Sequence, residues 1–253
     1  MDRDGVVARG RSLGLALAVA FAGILTAIVL TLAAGVLVRG LGLGLGVIGS
    51  VLLTLALTAG VAFGGVSLGY VRFRGLGRSF IGLRRPTPRD LAWVGAAYLV
   101  AILSVFGASL VVGLTGARPA PNQLSELGIA EPTLLLLLVP ISLFLVGPGE
   151  ELLFRGAVQG TLRRSFGPVG AVVIAAAVFA GVHFMALTGG VGPRLTTIAI
   201  LFLPSLVFGA AYERTGNLLV PALVHGLYNS TLAILLYVSL RFAGQPPAPA
   251  VML

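Results

Sequence analysis

Two adjacent glutamates and an arginine interrupt a long uncharged stretch of the sequence, in the run GPGEELLFR at residues 147–155. Ionisable groups at membrane depth are costly, so by default they mark a functional site. On a helix, Glu151 and Arg155 are four residues apart with the carboxylate first, which favours an ion pair on one face. Glu150 points about 100° away from that face and is predicted to be unpaired. A desolvated, unpaired carboxylate is a candidate general base.

Both histidines of the chain, His183 and His225, also lie inside apolar stretches. Polar groups in a membrane span usually need a partner, which makes both of them candidates for the same site. Asn229 follows His225 by four residues and would share its helical face. The Gly147-Pro148-Gly149 segment removes a backbone hydrogen bond and predicts either a functional kink beside Glu150 or an ordinary packing irregularity.

The turn signal at residues 165–168, SFGP, predicts an antiparallel helical hairpin. Glu150 lies 16 residues before Phe166, and His183 lies 16 residues after Gly167. At about 1.5 Å per residue, both side chains reach the same level, roughly 24 Å from the turn. The sequence therefore predicts that Glu150 and His183 face each other across the hairpin.

The composition of the chain excludes a soluble globular domain. The 253 residues are 57% hydrophobic and 10% charged, with a mean hydropathy of +1.05. The net charge of +9 comes from arginines scattered between apolar runs, so the lipid bilayer is the predicted partner and nucleic acid is not. The absence of cysteine excludes a disulfide framework, a thiolate nucleophile and a cysteine-ligated metal.

The uncharged stretches predict an all-α polytopic transmembrane bundle of about seven spans, with six to eight compatible with the pattern. The first span is predicted at residues 13–38, the second between Arg39 and Arg72, and the third after Asp90. The fourth follows residues 131–132 and runs into the glutamate pair, and the last three begin near residues 168, 195 and 218. We treat residues 1–253 as a single integral membrane domain, with a motif-bearing core at 133–240 and a disordered proline-rich tail at 245–253.

The arginines predict the orientation of these spans, because basic residues near span ends are retained in the cytoplasm. With a cytoplasmic N-terminus, 13 arginines lie on the cytoplasmic side and four on the outer side. An odd number of spans then places the C-terminus outside the cell membrane. The length of chain from Thr133 to Glu150 places the candidate site near the cytoplasmic face.

Three motifs follow one another on successive predicted spans: Glu-Glu-x-x-x-Arg at 150–155, Phe-x-x-x-His at 179–183 and His-x-x-x-Asn at 225–229. In this order they resemble the CAAX-protease and bacteriocin-processing family, the prokaryotic relatives of the Ras-converting endopeptidase. The resemblance implies an intramembrane endopeptidase that hydrolyses a membrane-associated substrate, such as a peptide or protein with a prenylated or hydrophobic C-terminus.

The resemblance also implies roles for seven residues. It assigns Glu150 and His183 to the activation of water, and His225 and Asn229 to the stabilisation of the oxyanion. The residues in supporting positions are Glu151, Arg155 and Phe179. These roles agree with the chemistry of the side chains, since hydrolysis needs a base, a second group to hold water and donors for the developing negative charge.

Other readings remain open from the sequence. Glu150, His183 and His225 form a two-histidine, one-carboxylate set of the kind that binds catalytic zinc. Metal-independent hydrolysis is favoured because zinc would leave only Glu151 as a base, and Glu151 is committed to Arg155. A transporter with a proton relay is a second alternative, but no inverted repeat supports it. A non-catalytic membrane partner of the immunity type is a third, and the intact motifs argue against it. The sequence does not determine the oligomeric state.

Overall fold

The computed structural model describes residues 3–243, and in this part of the chain the regular elements are helices. An isolated β-bridge joins Asn122 to Leu187. Six long helices and one short helix follow in order: α1 (Arg3–Gly40), α2 (Gly46–Phe73), α3 (Pro88–Thr115), the short α4 (Gln123–Ala130), α5 (Pro132–Ala186), α6 (Val191–Thr215) and α7 (Leu219–Phe242). The predicted all-α bundle is therefore confirmed. The tail predicted at 245–253 lies outside the described residues.

The six long helices among the described residues are each long and apolar enough to cross a membrane. At about 1.5 Å per residue, the 55-residue α5 would be far longer than a hydrocarbon core of roughly 30 Å. It breaks at Gly167, whose φ of 68° and ψ of 179° are not helical. The two arms fold back on each other, since the rings of Phe154 and Phe179 stack edge to face with centroids 5.1 Å apart. Counting the arms separately gives the seven predicted crossings.

The first helix begins earlier than the sequence predicted. The span was expected at 13–38, but α1 starts at Arg3 and includes the arginine-bearing segment before it. Most of the side chains of this added segment are exposed, so its charged residues can stay in contact with water while the backbone is helical. Charged residues mark the end of the apolar, membrane-spanning part of a helix, but the helix itself can continue beyond them into water.

Four apolar clusters hold the helices together among the described residues, and the two largest lie beside the motif-bearing helices. One lies between α1, α2 and the two arms of α5, and includes Phe63, Phe154 and Phe179. The other lies between α3, α6 and α7, and includes Phe208 and Tyr228. The arms of α5 that carry the first two motifs are thus packed on one side of the molecule, and α7 brings the third motif to them.

The loop between α2 and α3 is fastened to the turn between α6 and α7. Arg84 donates two hydrogen bonds to Asp90, and Asn217 donates to the same carboxylate. The Leu218 amide donates to the Gly82 carbonyl, and the Tyr212 hydroxyl donates to the Ile81 carbonyl. This fastening fixes the start of α7, the helix on which His225 and Asn229 lie.

Candidate active site

The first arm of α5 is wound unevenly around the glutamate pair. A π-helical segment, Ser142–Val146, precedes an α-helical turn at Gly147–Glu151, and a second π-helical segment, Leu152–Gln159, follows it. The irregularity predicted at Gly147-Pro148-Gly149 therefore takes the form of π-helical turns on both sides of this segment, without a break in the helix. Such turns are frequent at functional sites because they re-aim side chains along a helix.

Glycines allow α5 to approach its neighbours at the level of the glutamates. A Cβ atom on Gly147 would lie 2.7 Å from the Ala222 carbonyl oxygen, and one on Gly226 would lie 2.8 Å from the Cα atom of Leu143. A Cβ atom on Gly149 would collide with the backbone of Ala59 in α2. Small residues at these crossings let helix backbones pack closely, as is common in membrane bundles. The close approach brings His225 against the glutamate pair.

Glu151 joins the first motif to the third. Its Oε2 accepts a hydrogen bond from Arg155 Nε at 2.8 Å, and its Oε1 lies 3.0 Å from His225 Nδ1. All three side chains are buried, and those of Glu151 and Arg155 are 0% exposed. The ion pair expected between Glu151 and Arg155 is present, and the contact with His225 was not predicted. Because a carboxylate only accepts hydrogen bonds, the Nδ1 atom of His225 carries a proton here.

Glu150 was predicted to be unpaired, and its carboxylate is not part of the Glu151–Arg155 pair. Its Oε2 atom is buried and has no hydrogen-bond partner among the described residues. This atom lies 3.9 Å from His225 Nε2, beyond hydrogen-bond distance, and the Glu150 side chain is 17% exposed. Glu150 Oε2 and His225 Nε2 therefore lie close together, and neither makes a hydrogen bond to another described residue.

His183 ends the α-helical part of the second arm, at the start of a 3₁₀ turn, His183–Ala186. Its Nδ1 atom lies 2.7 Å from the Phe179 carbonyl oxygen. A carbonyl only accepts, so Nδ1 is protonated and the lone pair of neutral His183 lies on Nε2. No hydrogen bond or ion pair joins His183 directly to Glu150 in the part of the chain that the structure describes. A water or substrate atom would have to connect them.

Phe179 lies between the two histidines. Its ring centroid is 4.7 Å from that of His183 and 5.6 Å from that of His225. The Arg155 guanidinium carbon lies 5.2 Å from the centre of the same ring. Phe208 in α6 stacks on His225, with centroids 4.9 Å apart. The His225 imidazole is therefore held by two aromatic rings, one stacked and one edge-on, which restricts its orientation.

Asn229 is a predicted site residue whose side chain is not hydrogen-bonded to the other site residues. It lies on α7, four residues after His225, and is half-buried. Its side chain makes no hydrogen bond to another described residue. The structure thus leaves this amide free to act as a donor toward a bound substrate.

The described residues contain no assembled group of metal ligands. Residues 3–243 contain no group of three or more histidine, cysteine, aspartate or glutamate side chains placed to hold one. Glu150 and His225 approach each other, and the Nδ1 atoms of both histidines are engaged, by Glu151 and by the Phe179 carbonyl, an arrangement that does not by itself oppose binding of a metal through Nε2. The zinc set predicted as an alternative, Glu150, His183 and His225, is not assembled in this arrangement.

Several buried polar residues around the site were missed by the sequence analysis. Ser205 accepts a hydrogen bond from Arg155 Nη2 at 3.0 Å, and Gln159 donates to the Gly209 carbonyl and to Glu213. Gln159 and Arg163 continue the spacing of four residues set by Glu151 and Arg155. This spacing could have identified a longer polar face on α5, but the sequence alone does not reveal that α6 covers it.

Residues 132–231 match the family model described as type II CAAX prenyl endopeptidase Rce1-like. The match covers 100 of the 253 residues and supports membership of the CAAX-protease family. The matched stretch contains the three motifs and all seven predicted site residues, while α1 to α4 lie outside it. No curated protein and no solved structure matches the chain. Together with the six apolar helices among the described residues, the match supports an integral membrane protein with an intramembrane protease activity.

Proposed function

We propose that the protein is a glutamate-type intramembrane endopeptidase, in which Glu150 and His183 activate a water molecule and His225 and Asn229 stabilise the oxyanion. The observation that carries this proposal is the Oε2 atom of Glu150. It is buried, has no hydrogen-bond partner among the described residues, and lies 3.9 Å from His225 Nε2. A buried carboxylate oxygen without a partner is costly to maintain, and it is explained if the oxygen binds the hydrolytic water.

In the proposed reaction, Glu150 takes a proton from the water while the water oxygen attacks the carbonyl carbon of the scissile peptide bond. His183 accepts the second hydrogen of the water through its Nε2 lone pair, which orients the attacking oxygen. When the carbon–nitrogen bond breaks, Glu150 returns its proton to the leaving amine nitrogen. Such proton transfer by a positioned group typically contributes about 10² to 10⁴ in rate.

The oxyanion of the tetrahedral intermediate needs hydrogen-bond donors. His225 donates from Nε2 in its doubly protonated form, since Nδ1 is directed at Glu151. The Asn229 side-chain amide supplies the second donor. The Glu151 carboxylate stabilises the charged imidazole, and Arg155 compensates the charge of Glu151. Because the side chains of Arg155, Glu151 and His225 are buried, each electrostatic contact between them is stronger than it would be in water.

The substrate class that suits this site is a peptide whose C-terminal segment is prenylated or hydrophobic. A site among apolar helices is reached by a chain that partitions into the bilayer. Cleavage is tested with purified protein in detergent, using matched peptides with and without a prenylated cysteine, and mass spectrometry of the products. We expect cleavage near the modified end, and slower cleavage of the unmodified peptide.

Glu150→Gln is the decisive variant, because it keeps the shape of the side chain and removes the base. We expect its kcat to fall by about 10² or more. Glu131→Gln is the matched control, since Glu131 is an exposed carboxylate at the start of α5. If Glu150→Gln cleaves as fast as the unmodified protein, the proposed role of Glu150 is wrong. If neither protein cleaves any peptide, the endopeptidase proposal fails for this substrate class.

A further inference from the structure

Four polar residues follow one another at intervals of four along the first arm of α5: Glu151, Arg155, Gln159 and Arg163. They face α6, where Ser205, Gly209 and Glu213 have the same spacing. Arg155 bonds to Ser205, Gln159 to the Gly209 carbonyl and to Glu213, and Arg163 pairs with Glu213 at 3.1 Å. This polar seam runs from the buried site to Arg163, whose side chain is 54% exposed.

Besides Glu213 Oε2, which pairs with Arg163 at 3.1 Å, two buried atoms of the seam have no hydrogen-bond partner among the described residues: Nη1 of Arg155 and Oε1 of Gln159. Both side chains are 0% exposed. The Gln159 amide cannot simply flip to remove its unpartnered oxygen, because its nitrogen already donates to two acceptors, Gly209 and Glu213. The unpartnered atoms are therefore one donor and one acceptor, one helical turn apart on the same face.

We propose that an internal water molecule bridges Arg155 Nη1 and Gln159 Oε1, and that Gln159 is a positioning residue for the site. Buried waters typically make about three hydrogen bonds to polar groups that would otherwise be unsatisfied. The water accepts from the guanidinium and donates to the amide oxygen. The inference rests on the proposed function, because the hydrogen bonds continue from Arg155 through Glu151 to His225, a proposed oxyanion donor.

Gly209 has a specific part in this arrangement. A Cβ atom at this position would lie 2.9 Å from Gln159 Oε1 and 3.0 Å from Val172 Cγ1. Alanine would therefore push the amide oxygen away while removing no polar group. Gly209→Ala perturbs the bridge without deleting either of its ends, which complements Gln159→Met, where the amide is replaced by an apolar side chain of similar length.

The bridge is tested first by radiolytic hydroxyl labelling in ¹⁸O water, which marks side chains beside bound water molecules. We expect the peptide containing Val172 to be labelled, with slow ¹⁸O exchange, and the labelling to fall severalfold in Gln159→Met and Gly209→Ala. Gly107→Ala is the control for the added methyl group, since nothing lies within 4 Å of a Cβ atom there. An unlabelled Val172 peptide, or labelling that is unchanged in both variants, would overturn the proposed water.

The positioning role is tested by kinetics on protein of confirmed fold. We expect Gln159→Met to lower kcat by about 10- to 100-fold with KM within twofold, because a small misplacement of a site residue by a distant mutation can cost about 10²-fold in rate. A kcat that is unchanged per folded molecule overturns the positioning role. If Gln159→Met does not fold, Gly209→Ala is measured in its place.

The labelling is repeated in Glu150→Gln protein, so that it does not depend on turnover. Labelling without peptide cleavage by the unmodified protein would contradict the proposed function and leave the water in place. Cleavage without labelling would contradict the water and leave the proposed function in place.

Discussion

At the scale of single residues, Glu151 connects the parts of the site. It accepts from Arg155 on one oxygen and from His225 on the other, and no part of it is exposed to solvent. A buried ion pair is not by itself stabilising, because desolvation offsets the attraction between the charges. The value of this pair lies in holding a charged acceptor beside His225, which orients the imidazole toward Glu150.

Arg155→Ala should lower stability as well as activity. The change leaves Glu151 buried without its cation and removes the contact with Ser205. Breaking a buried pair in this way costs about 3 to 5 kcal/mol. The thermal midpoint in detergent measures this effect, with Arg214→Ala as the control at an exposed arginine. Equal midpoints for Arg155→Ala and the unmodified protein would show that the pair contributes little to the fold.

Asn229→Ala should lower turnover while leaving substrate affinity unchanged. An oxyanion donor acts on the transition state, and losing one costs about 10² to 10³ in kcat. The side chain makes no hydrogen bond among the described residues, so its removal should not alter the melting temperature. Steady-state kinetics with a cleavable peptide distinguish the possibilities. A raised KM with normal kcat would instead identify Asn229 as a substrate contact.

Peptide hydrolysis should persist after treatment with a chelator. The described residues hold no group of three side chains placed to bind one ion, and the proposed reaction uses Glu150 as the base. Elemental analysis of active, purified protein provides the measurement, with activity assayed in parallel. Stoichiometric zinc, together with activity that is lost on chelation and restored by zinc, would contradict the metal-free mechanism.

At the scale of elements, the winding of α5 and the glycines beside the site act together. The π-helical segments on either side of Gly147–Glu151 set the direction of the two glutamates. Gly149 packs on the backbone of α2 at Ala59, inside a further π-helical segment, Ala56–Phe63. Helices that lie outside the matched family region thus support the residues inside it.

Gly149→Ala should destabilise the protein and reduce its activity. The added methyl group would meet the backbone of Ala59, which cannot rotate away as a side chain can. Overpacking of this kind costs about 1 to 3 kcal/mol and would displace the neighbouring Glu150. Thermal unfolding in detergent tests this, with Gly65→Ala as the control because a Cβ atom there meets nothing within 4 Å. If both variants unfold at the same temperature, the α2 contact does not constrain the site.

At the scale of the whole molecule, the structure gives six long apolar helices, of which α5 folds into two arms at Gly167. Seven crossings with a cytoplasmic N-terminus put 13 arginines on the cytoplasmic side and four on the other. We predict this orientation, which would place the tip of the α5 hairpin in the cytoplasm and the C-terminus outside.

Reporter fusions test the orientation. A reporter after residue 80 should be active in the cytoplasm, and one after residue 125 should be active outside, because α3 separates the two positions. The physical basis is the retention of arginine-rich segments on the cytoplasmic side. Reporters found on the same side would contradict both the span count and the orientation.

The sequence by itself determined what depends on local spacing. Uncharged length predicts spans, because a helix needs about 20 residues to cross the bilayer core. The interval of four residues predicts the pairing of Glu151 with Arg155, and the turn at Gly167 predicts an antiparallel hairpin. These features follow from the fixed rise of the helix, so they can be read before any contact between helices is known.

The tertiary structure decided what depends on contacts between distant parts of the chain. His225 reaches Glu151 across 74 positions, and Ser205 reaches Arg155 across 50. No local pattern specifies such partners, because they depend on which faces of α5, α6 and α7 meet and at what height. The close crossings at Gly147 and Gly226 set that height. The motifs could therefore be found in the sequence, but the acceptor that holds His225 could be found only after the helices were packed.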